Sequence, residues 1–230
     1  MLLNANARID LRRIGREGHP LLIVDEVLAR PEELIAEAVQ APFSRPDHTR
    51  YPGLNAPLPA EYSQTIMAAL RPMLERGFGI PRHLTINFFG FFALATEAPE
   101  DLDPIQKVPH HDSSDPFRIA MVHYLCHGQK GGTGFFRHTA TGFEGVDAKR
   151  RPLYVEHAVA ELESTKDRLT HHVTTATPNY EMIGHADIVF NRLIVYRSHV
   201  LHAGLLDEAN LSDDPATGRL TANSFVEVAR

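Results

Sequence analysis

The C-terminal two-thirds of the chain is a succession of short β-prone segments that lack a helical pattern between most neighbouring pairs. Glycine, proline and asparagine turns separate them, as is typical of β-strands joined by short connections. The segments cover residues 83–94, 117–125, 133–137, 180–190, 193–198 and 219–228. Parallel strands would need a long crossover, usually a helix, between each pair. The pattern therefore predicts a mainly β fold, either an antiparallel sandwich or a barrel.

The first 80 residues have a different pattern, in which short strands alternate with helices. An apolar run from Leu21 to Val24 is typical of a buried strand. Proline and two glutamates at 31–33 suit the first turn of a helix, and residues 59–76 carry an apolar stripe at helical spacing. The turn-rich stretch 51–57 between these helices is predicted to be a loop. We expect the helices to brace the β region.

The domain organisation follows from length and pattern. A single domain can use all 230 residues, and we expect one domain over 1–230. Residues 1–80 would support a β core over 81–230. Residues 139–179 interrupt the β pattern with a polar, partly helical stretch, which we interpret as an insertion over one mouth of the core.

Composition narrows the class of partner. The chain has 23 Lys and Arg against 29 Asp and Glu, so it lacks the basic balance of a nucleic-acid-binding protein. Its apolar runs are too short to cross a bilayer, and polar residues interrupt any secretory leader at the N-terminus. A single cysteine suits a reducing compartment. We expect a cytoplasmic protein with no nucleic-acid or membrane partner, and the oligomeric state stays open.

Histidine is over-represented, with 14 copies against one cysteine, so any bound metal would have imidazole and carboxylate ligands. Along a strand, His110 and Asp112 would project to one side and His111 to the other. A histidine from a later strand would complete a 2-His-1-carboxylate triad, the usual ligand set of non-haem Fe(II) oxygenases. Two residues could supply it, His199 and His202.

At these positions the chain resembles the Fe(II)/2-oxoglutarate-dependent dioxygenase superfamily, in particular its prolyl-4-hydroxylase-like branch. Five elements of that family occur in order over about the C-terminal two-thirds of the sequence. They are His110-His111-Asp112, Tyr124-Leu125, Gly131-Gly132 followed by Phe135, Leu201-His202, and Gly218-Arg219 opening the last β segment.

The resemblance implies site residues. His110, Asp112 and His202 would bind iron, with His202 preferred over His199 because it directly precedes Ala203-Gly204. Arg219 would bind the distal carboxylate of 2-oxoglutarate, assisted by Tyr124. The stretch between His202 and Arg219 is longer than usual in the family and contains a turn-rich excursion over 207–215. Arg197 is therefore the alternative partner of the keto acid.

The resemblance also implies a fold and a reaction. The core would be a double-stranded β-helix, or jelly roll, braced by the N-terminal helices. With Fe(II), 2-oxoglutarate and O₂, and ascorbate as a stimulant, the protein would hydroxylate an unactivated C–H bond of an amino acid, peptide or small metabolite, releasing succinate and CO₂. Two alternatives are a non-catalytic metal- or ligand-binding barrel, either a sensor or a degenerate oxygenase, and a cupin-type metalloenzyme without a keto acid.

Overall fold

A computed structural model describes residues 1–47, 50–127, 130–208 and 211–228. The strands within these ranges are β1 (Arg8–Ile14), β2 (His19–Asp25), β3 (Gly53–Pro57), β4 (Ile86–Ala95), β5 (Ile119–Tyr124), β6 (Gly132–His138), β7 (Tyr180–Asp187), β8 (Arg192–Arg197), β9 (His202–Leu205) and β10 (Leu220–Val228). The α-helices are α1 (Pro31–Gln40), α2 (Ala60–Phe78) and α3 (Arg151–Thr165).

The strands form two antiparallel sheets. The large sheet has the order β1-β2-β8-β5-β10-β4-β3, and the small sheet has the order β7-β6-β9. An isolated bridge between His110 and His202 adds one residue to the free side of β9.

The path of the chain between the two sheets defines the fold. The strand β4 belongs to the large sheet. The chain then joins the small sheet at His110 and returns to the large sheet with β5. It continues with β6 and β7 in the small sheet, β8 in the large, β9 in the small and β10 in the large. This is the strand order of a jelly roll built from two Greek keys. The predicted fold class is confirmed.

Side-chain alternation buries both faces of the central strands of the large sheet. On β8, Leu193 and Val195 face the helices, whereas Ile194 and Tyr196 face the small sheet. A strand that is buried on both faces has a continuous run of apolar residues in its sequence. For this reason β8 is easily recognised in the sequence.

The two N-terminal helices pack on the outer face of the large sheet, as predicted. The buried stripe of α2 consists of Tyr62, Ile66, Leu70, Leu74 and Phe78, and these side chains share one apolar cluster with residues of α1, β2, β5, β8 and β10. The helix α1 begins with Pro31, whose missing N–H costs nothing at that position. No helix in the described ranges is long and apolar enough to cross a membrane.

The prediction of a loop over 51–57 was wrong, because residues 53–57 form the edge strand β3 against β4. Gly53 permits the close approach, since a Cβ there would collide with the carbonyl oxygen of Leu94. Pro57 is tolerated because it ends an edge strand.

The predicted excursion over 207–215 lies between β9 and β10. Ala209 and Asn210 of this stretch lie outside the described residues. Farther along, the amides of Thr217 and Gly218 donate to the carbonyl of Asp214, which turns the chain back toward β10.

The helix α3 lies within the predicted insertion 139–179 and packs on the outer face of the small sheet. Its buried Tyr154 belongs to an apolar cluster with Phe136 of β6, Val146 and Leu201. The helix therefore lies over the sheet face that points away from the large sheet.

Candidate metal centre

The His-x-Asp segment lies at the free edge of the small sheet. The backbones of His110 and His202 exchange two hydrogen bonds, at 2.9 and 2.8 Å. The prediction of a regular strand here was wrong in extent, because only His110 forms a ladder bridge. Pro109 has no backbone N–H to donate, and beyond His110 the chain bends at 112 and 114 and turns at 116–117.

The structure brings His110, Asp112 and His202 together, and we refer to them as the triad. Their ligand atoms all lie within 4.8 Å of one another. The Asp112 carboxylate oxygens lie 3.6 Å from Nε2 of His110 and 3.5 Å from Nε2 of His202. The His202 side chain is buried, but the His110 side chain is 56% exposed. One side of the triad is therefore open.

A hydrogen bond from the His202 ring to the backbone leaves its other ring nitrogen available to bind a metal. Its Nδ1 lies 2.8 Å from the carbonyl oxygen of Val200, so Nδ1 carries the proton and donates it. The Nε2 lone pair is then free and faces Asp112. A second ring nitrogen that donates to a backbone carbonyl is the usual way in which a metal-binding histidine is oriented.

The protonation state of His110 also fits a metal ligand. Although the side chain is 56% exposed, partial desolvation by the surrounding protein atoms, and next the proximity of His202, lower the pKa of His110. Its imidazole is then neutral near pH 7, which is the form that binds a metal. Two neutral imidazoles and one carboxylate with an open side suit non-haem Fe(II).

Two nearby histidines lie outside the triad. The ring of His111 contacts Tyr154 of α3 at 5.7 Å between centroids, on the outer face of the small sheet. His199 packs against His19 at 5.5 Å. Of the two histidines that the sequence offers as third ligand, the structure brings only His202 to the triad.

Arg219 directly precedes β10 and lies between the two sheets. Its Nη2 donates to the carbonyl of Gly132 at 3.3 Å, while its buried Nε has no hydrogen-bond partner among the described residues. The guanidinium carbon lies 5.8 Å from the ring centre of Tyr124, whose hydroxyl is 2.7 Å from the Thr133 hydroxyl. The structure therefore places Arg219 and Tyr124 together, with one guanidinium donor still without an acceptor.

The strand β9 connects the triad to Arg219. His202 and Gly204 point to the same face of this strand, about 7 Å apart. A Cβ built on Gly204 would lie 3.9 Å from Nη2 of Arg219, and Gly204 itself is exposed. The triad and the guanidinium thus meet the same strand two residues apart, at His202 and at Gly204.

Tyr196 is a site residue that sequence reasoning missed. Its ring meets that of His202 edge-on at 4.8 Å. Burial, and next the negative charge of Asp112, raise the pKa of Tyr196, while the charge of Arg219 opposes this shift. The neutral hydroxyl therefore lies close enough to both to respond to their charges. Its inward position on β8 is the signal that could have identified it.

Arg197, the alternative partner of a keto acid, lies on the opposite face of β8 from Tyr196. Its guanidinium donates to the backbone carbonyls of Pro116 and Phe78. These bonds hold it on the outside of the large sheet, on the opposite face from the triad.

A second group of possible ligands, Glu17, His19 and Glu144, lies at the turn between β1 and β2. Its carboxylates already have partners, since Glu144 accepts from Arg137 and from two backbone amides of the turn. Arg150 binds Glu17 at 2.7 Å. Two guanidinium groups so close oppose cation binding, and we interpret this group as a structural clamp.

Fold and site together define a jelly-roll protein that holds a 2-His-1-carboxylate triad between its sheets. The chain belongs to a protein family of unknown function, DUF6445, whose model matches residues 5–226. No curated protein matches the sequence.

Several solved structures are similar at low sequence identity. HygX from Streptomyces hygroscopicus, solved with nickel and 2-oxoglutarate, is 14% identical over 91% of this chain and 83% of its own, with a TM-score of 0.47. EvdO2 from Micromonospora carbonacea var. aurantiaca, complexed with 2-oxoglutarate, is 13% identical over 97% and 94%, with a TM-score of 0.45. An N-substituted L-amino acid dioxygenase from Burkholderia ambifaria AMMD is 11% identical over 96% and 94%, with a TM-score of 0.40. With TM-scores below 0.5, these are likenesses of general outline only.

Proposed function

We propose that this protein is an Fe(II)- and 2-oxoglutarate-dependent oxygenase that hydroxylates a C–H bond of an amino acid, peptide or small metabolite. One observation carries the proposal: the triad and the Arg219 guanidinium, with its unpartnered Nε, meet the same strand β9 two residues apart, at His202 and at Gly204. A metal-binding end and a cationic end on one strand suit a keto acid that chelates through one end and forms an ion pair through the other.

Each residue has a defined part in this proposal. His110, Asp112 and His202 would bind Fe(II) and leave three positions open. The Arg219 guanidinium would hold the distal carboxylate of 2-oxoglutarate, since its planar fork matches a carboxylate. Tyr124 lines this end against Thr133. When bound, the iron and keto acid would supply the oxidising power for reaction with O₂.

The chain would also shape the site and exclude water from it. Tyr196 and Phe135 belong to the apolar cluster between the sheets, and their rings meet at 5.1 Å. An apolar wall beside the triad excludes water from the inner end of the space, which limits side reactions.

Succinate formation tests the proposal. The purified protein with Fe(II), ascorbate and 2-oxoglutarate should release succinate slowly even without substrate. Absence of both succinate and 2-oxoglutarate binding would exclude the proposal and favour a non-catalytic barrel. Turnover of a substrate with iron but without the keto acid would favour a cupin-type enzyme.

Replacing Arg219 by alanine should weaken 2-oxoglutarate binding about 10- to 100-fold, because a charge-assisted pair of hydrogen bonds is lost. Fe(II) affinity should stay unchanged, since Arg219 does not belong to the triad. Calorimetric titration of each variant with keto acid, and separately with Fe(II), measures both effects. Arg197→Ala is the matched control and should retain keto-acid affinity. If only Arg197→Ala lost keto-acid affinity, Arg197 rather than Arg219 would be the partner of the distal carboxylate.

Replacing Gly204 by leucine should also block 2-oxoglutarate. The side chain would extend from a point 3.9 Å from the Arg219 guanidinium into the proposed path of the dicarboxylate. We expect at least a tenfold loss of keto-acid affinity with Fe(II) binding retained, measured by the same titrations. Gly204→Ala, whose Cβ would meet Leu206 and Arg219 at ordinary contact distances of 3.6 and 3.9 Å, controls for loss of the glycine itself and should retain keto-acid affinity. Unchanged keto-acid affinity in Gly204→Leu would place the ligand elsewhere.

A further inference from the structure

A groove of about 280 Å³ lies between α3 and the free edge of the small sheet. Its walls are mostly apolar and include Ile105, Val108, Pro109, Val155, Ala158 and Leu162. The groove also touches His110 and His111. His110, whose side chain is 56% exposed, therefore places one end of the groove beside one residue of the triad.

One carboxylate lies in this apolar groove. Glu161 of α3 lines it and is half-buried, with its side chain 24% exposed. Its Oε2 is 2.7 Å from Nε2 of His138, and no lysine or arginine of the described ranges forms an ion pair with it. A partly buried carboxylate without a strong cation beside it favours a cationic ligand.

Two tyrosines, Tyr154 and Tyr180, line the groove near this carboxylate. The hydroxyls of Tyr154 and Tyr180 are 3.1 Å apart, and the His138 ring lies 5.1 and 5.3 Å from the rings of these tyrosines. Burial and the neighbouring Tyr154 raise the pKa of Tyr180, so its hydroxyl stays neutral. Aromatic faces and one carboxylate are the groups that recognise an ammonium ion in proteins.

We propose that the groove binds the substrate, and that this substrate is a small apolar molecule carrying a protonated amine. Glu161 would bind the ammonium group, the faces of Val155, Ala158 and Leu162 would hold the apolar part, and the edge at His110 would receive the end that reacts. The volume fits a small molecule rather than a protein segment. The role as substrate rests on the proposed oxygenase function, whereas the chemistry of recognition rests on the groove alone.

Three probes of equal length test the recognition: hexylamine, hexanoate and hexan-1-ol, titrated into the full chain and followed by saturation-transfer NMR. Hexylamine should bind at least tenfold more tightly than the other two. Glu161→Gln, which keeps the shape and removes the charge, should abolish that preference. Glu163→Gln is the matched control, because Glu163 lies on the same helix and pairs with Lys166 instead.

Filling the groove tests its location. Ala158→Phe should remove hexylamine binding, and since Ala158 also packs against the core, Val159→Trp at the mouth serves as a second blocking variant. Val159 is 57% exposed, so its replacement leaves the core intact. Equal binding of the three probes, or hexylamine binding that survives both blocking variants, would overturn the proposal.

Succinate release tests whether the groove serves the reaction. Hexylamine should stimulate succinate formation from 2-oxoglutarate in the unaltered protein at least severalfold, and not in Ala158→Phe or Val159→Trp. Binding without stimulation in a protein that does form succinate would overturn the substrate role. Failure of the unaltered protein to bind 2-oxoglutarate or form succinate contradicts the oxygenase function itself, and the probe titrations separate that failure from failure of the groove.

Discussion

Replacing Asp112 by alanine is expected to weaken Fe(II) binding by at least about a hundredfold and to abolish succinate formation. The variant leaves only two neutral imidazoles, and it removes the charge that compensates the cation. Even residues that merely orient metal ligands contribute about 10- to 100-fold to affinity, so loss of a ligand should have a larger effect. His202→Ala should behave alike, because Nε2 of His202 lies 3.5 Å from the Asp112 carboxylate. Anaerobic titration with Fe(II) measures the change.

The control for this prediction is the neighbouring histidine. His111→Ala removes an imidazole next in sequence to two triad residues, but its ring contacts Tyr154 on the outer face of the small sheet. Fe(II) affinity should therefore stay within about twofold of the unaltered protein. Equal losses at Asp112, His202 and His111 would contradict the assignment of the triad.

Replacing Glu144 by glutamine should lower the free energy of unfolding by about 3 kcal/mol, the order expected when one partner of a buried ion pair is removed. The Glu144 side chain is fully buried. It accepts hydrogen bonds from the Arg137 guanidinium and from the amides of Arg16 and Glu17, at 2.8 and 2.9 Å. A glutamine side chain has an NH2 group in place of one carboxylate oxygen. That NH2 group would face at least one of these N–H donors, and no hydrogen bond could form there. Urea unfolding measures the loss.

The Glu144 carboxylate should also make the free energy of unfolding depend on pH in the acidic range. Burial opposes ionisation of Glu144, but the hydrogen bonds from Glu17, Arg16 and Arg137 outweigh it and lower the pKa below its usual value of 4.5. The stabilisation is therefore complete above that value and is lost as pH falls through the folded pKa. Glu144→Gln should lack this part of the acid sensitivity.

Glu163→Gln is the control for both effects. Glu163 is exposed and pairs only with Lys166, so its replacement should change stability by less than about 1 kcal/mol. A similar small loss in Glu144→Gln would show that the clamp contributes little.

The β core and part of the site were predictable because their signals are local. β5 and β8 are buried on both faces, so their apolar runs stand out from the surrounding turns. The His-x-Asp spacing predicts two side chains near each other, and the structure places His110 and Asp112 that way.

The remainder depends on contacts between distant segments. β1 reads as polar, with six of its seven residues exposed, and its strand conformation comes from pairing with β2. The closeness of Arg219 to Gly204 depends on how the two sheets stack. The carboxylate of Glu144 meets Arg16 and Glu17 across most of the chain. Such contacts cannot be predicted from the spacing of residues within one segment.

The reciprocal backbone bonds between His110 and His202 have a kinetic consequence. They close a long loop that contains β5, β6, β7 and β8, and long loops close late because their ends lose much entropy when they meet. The triad is therefore incomplete until the two ends of this loop have met. Iron would select the native chain over every earlier state, and its occupancy would then report completed folding.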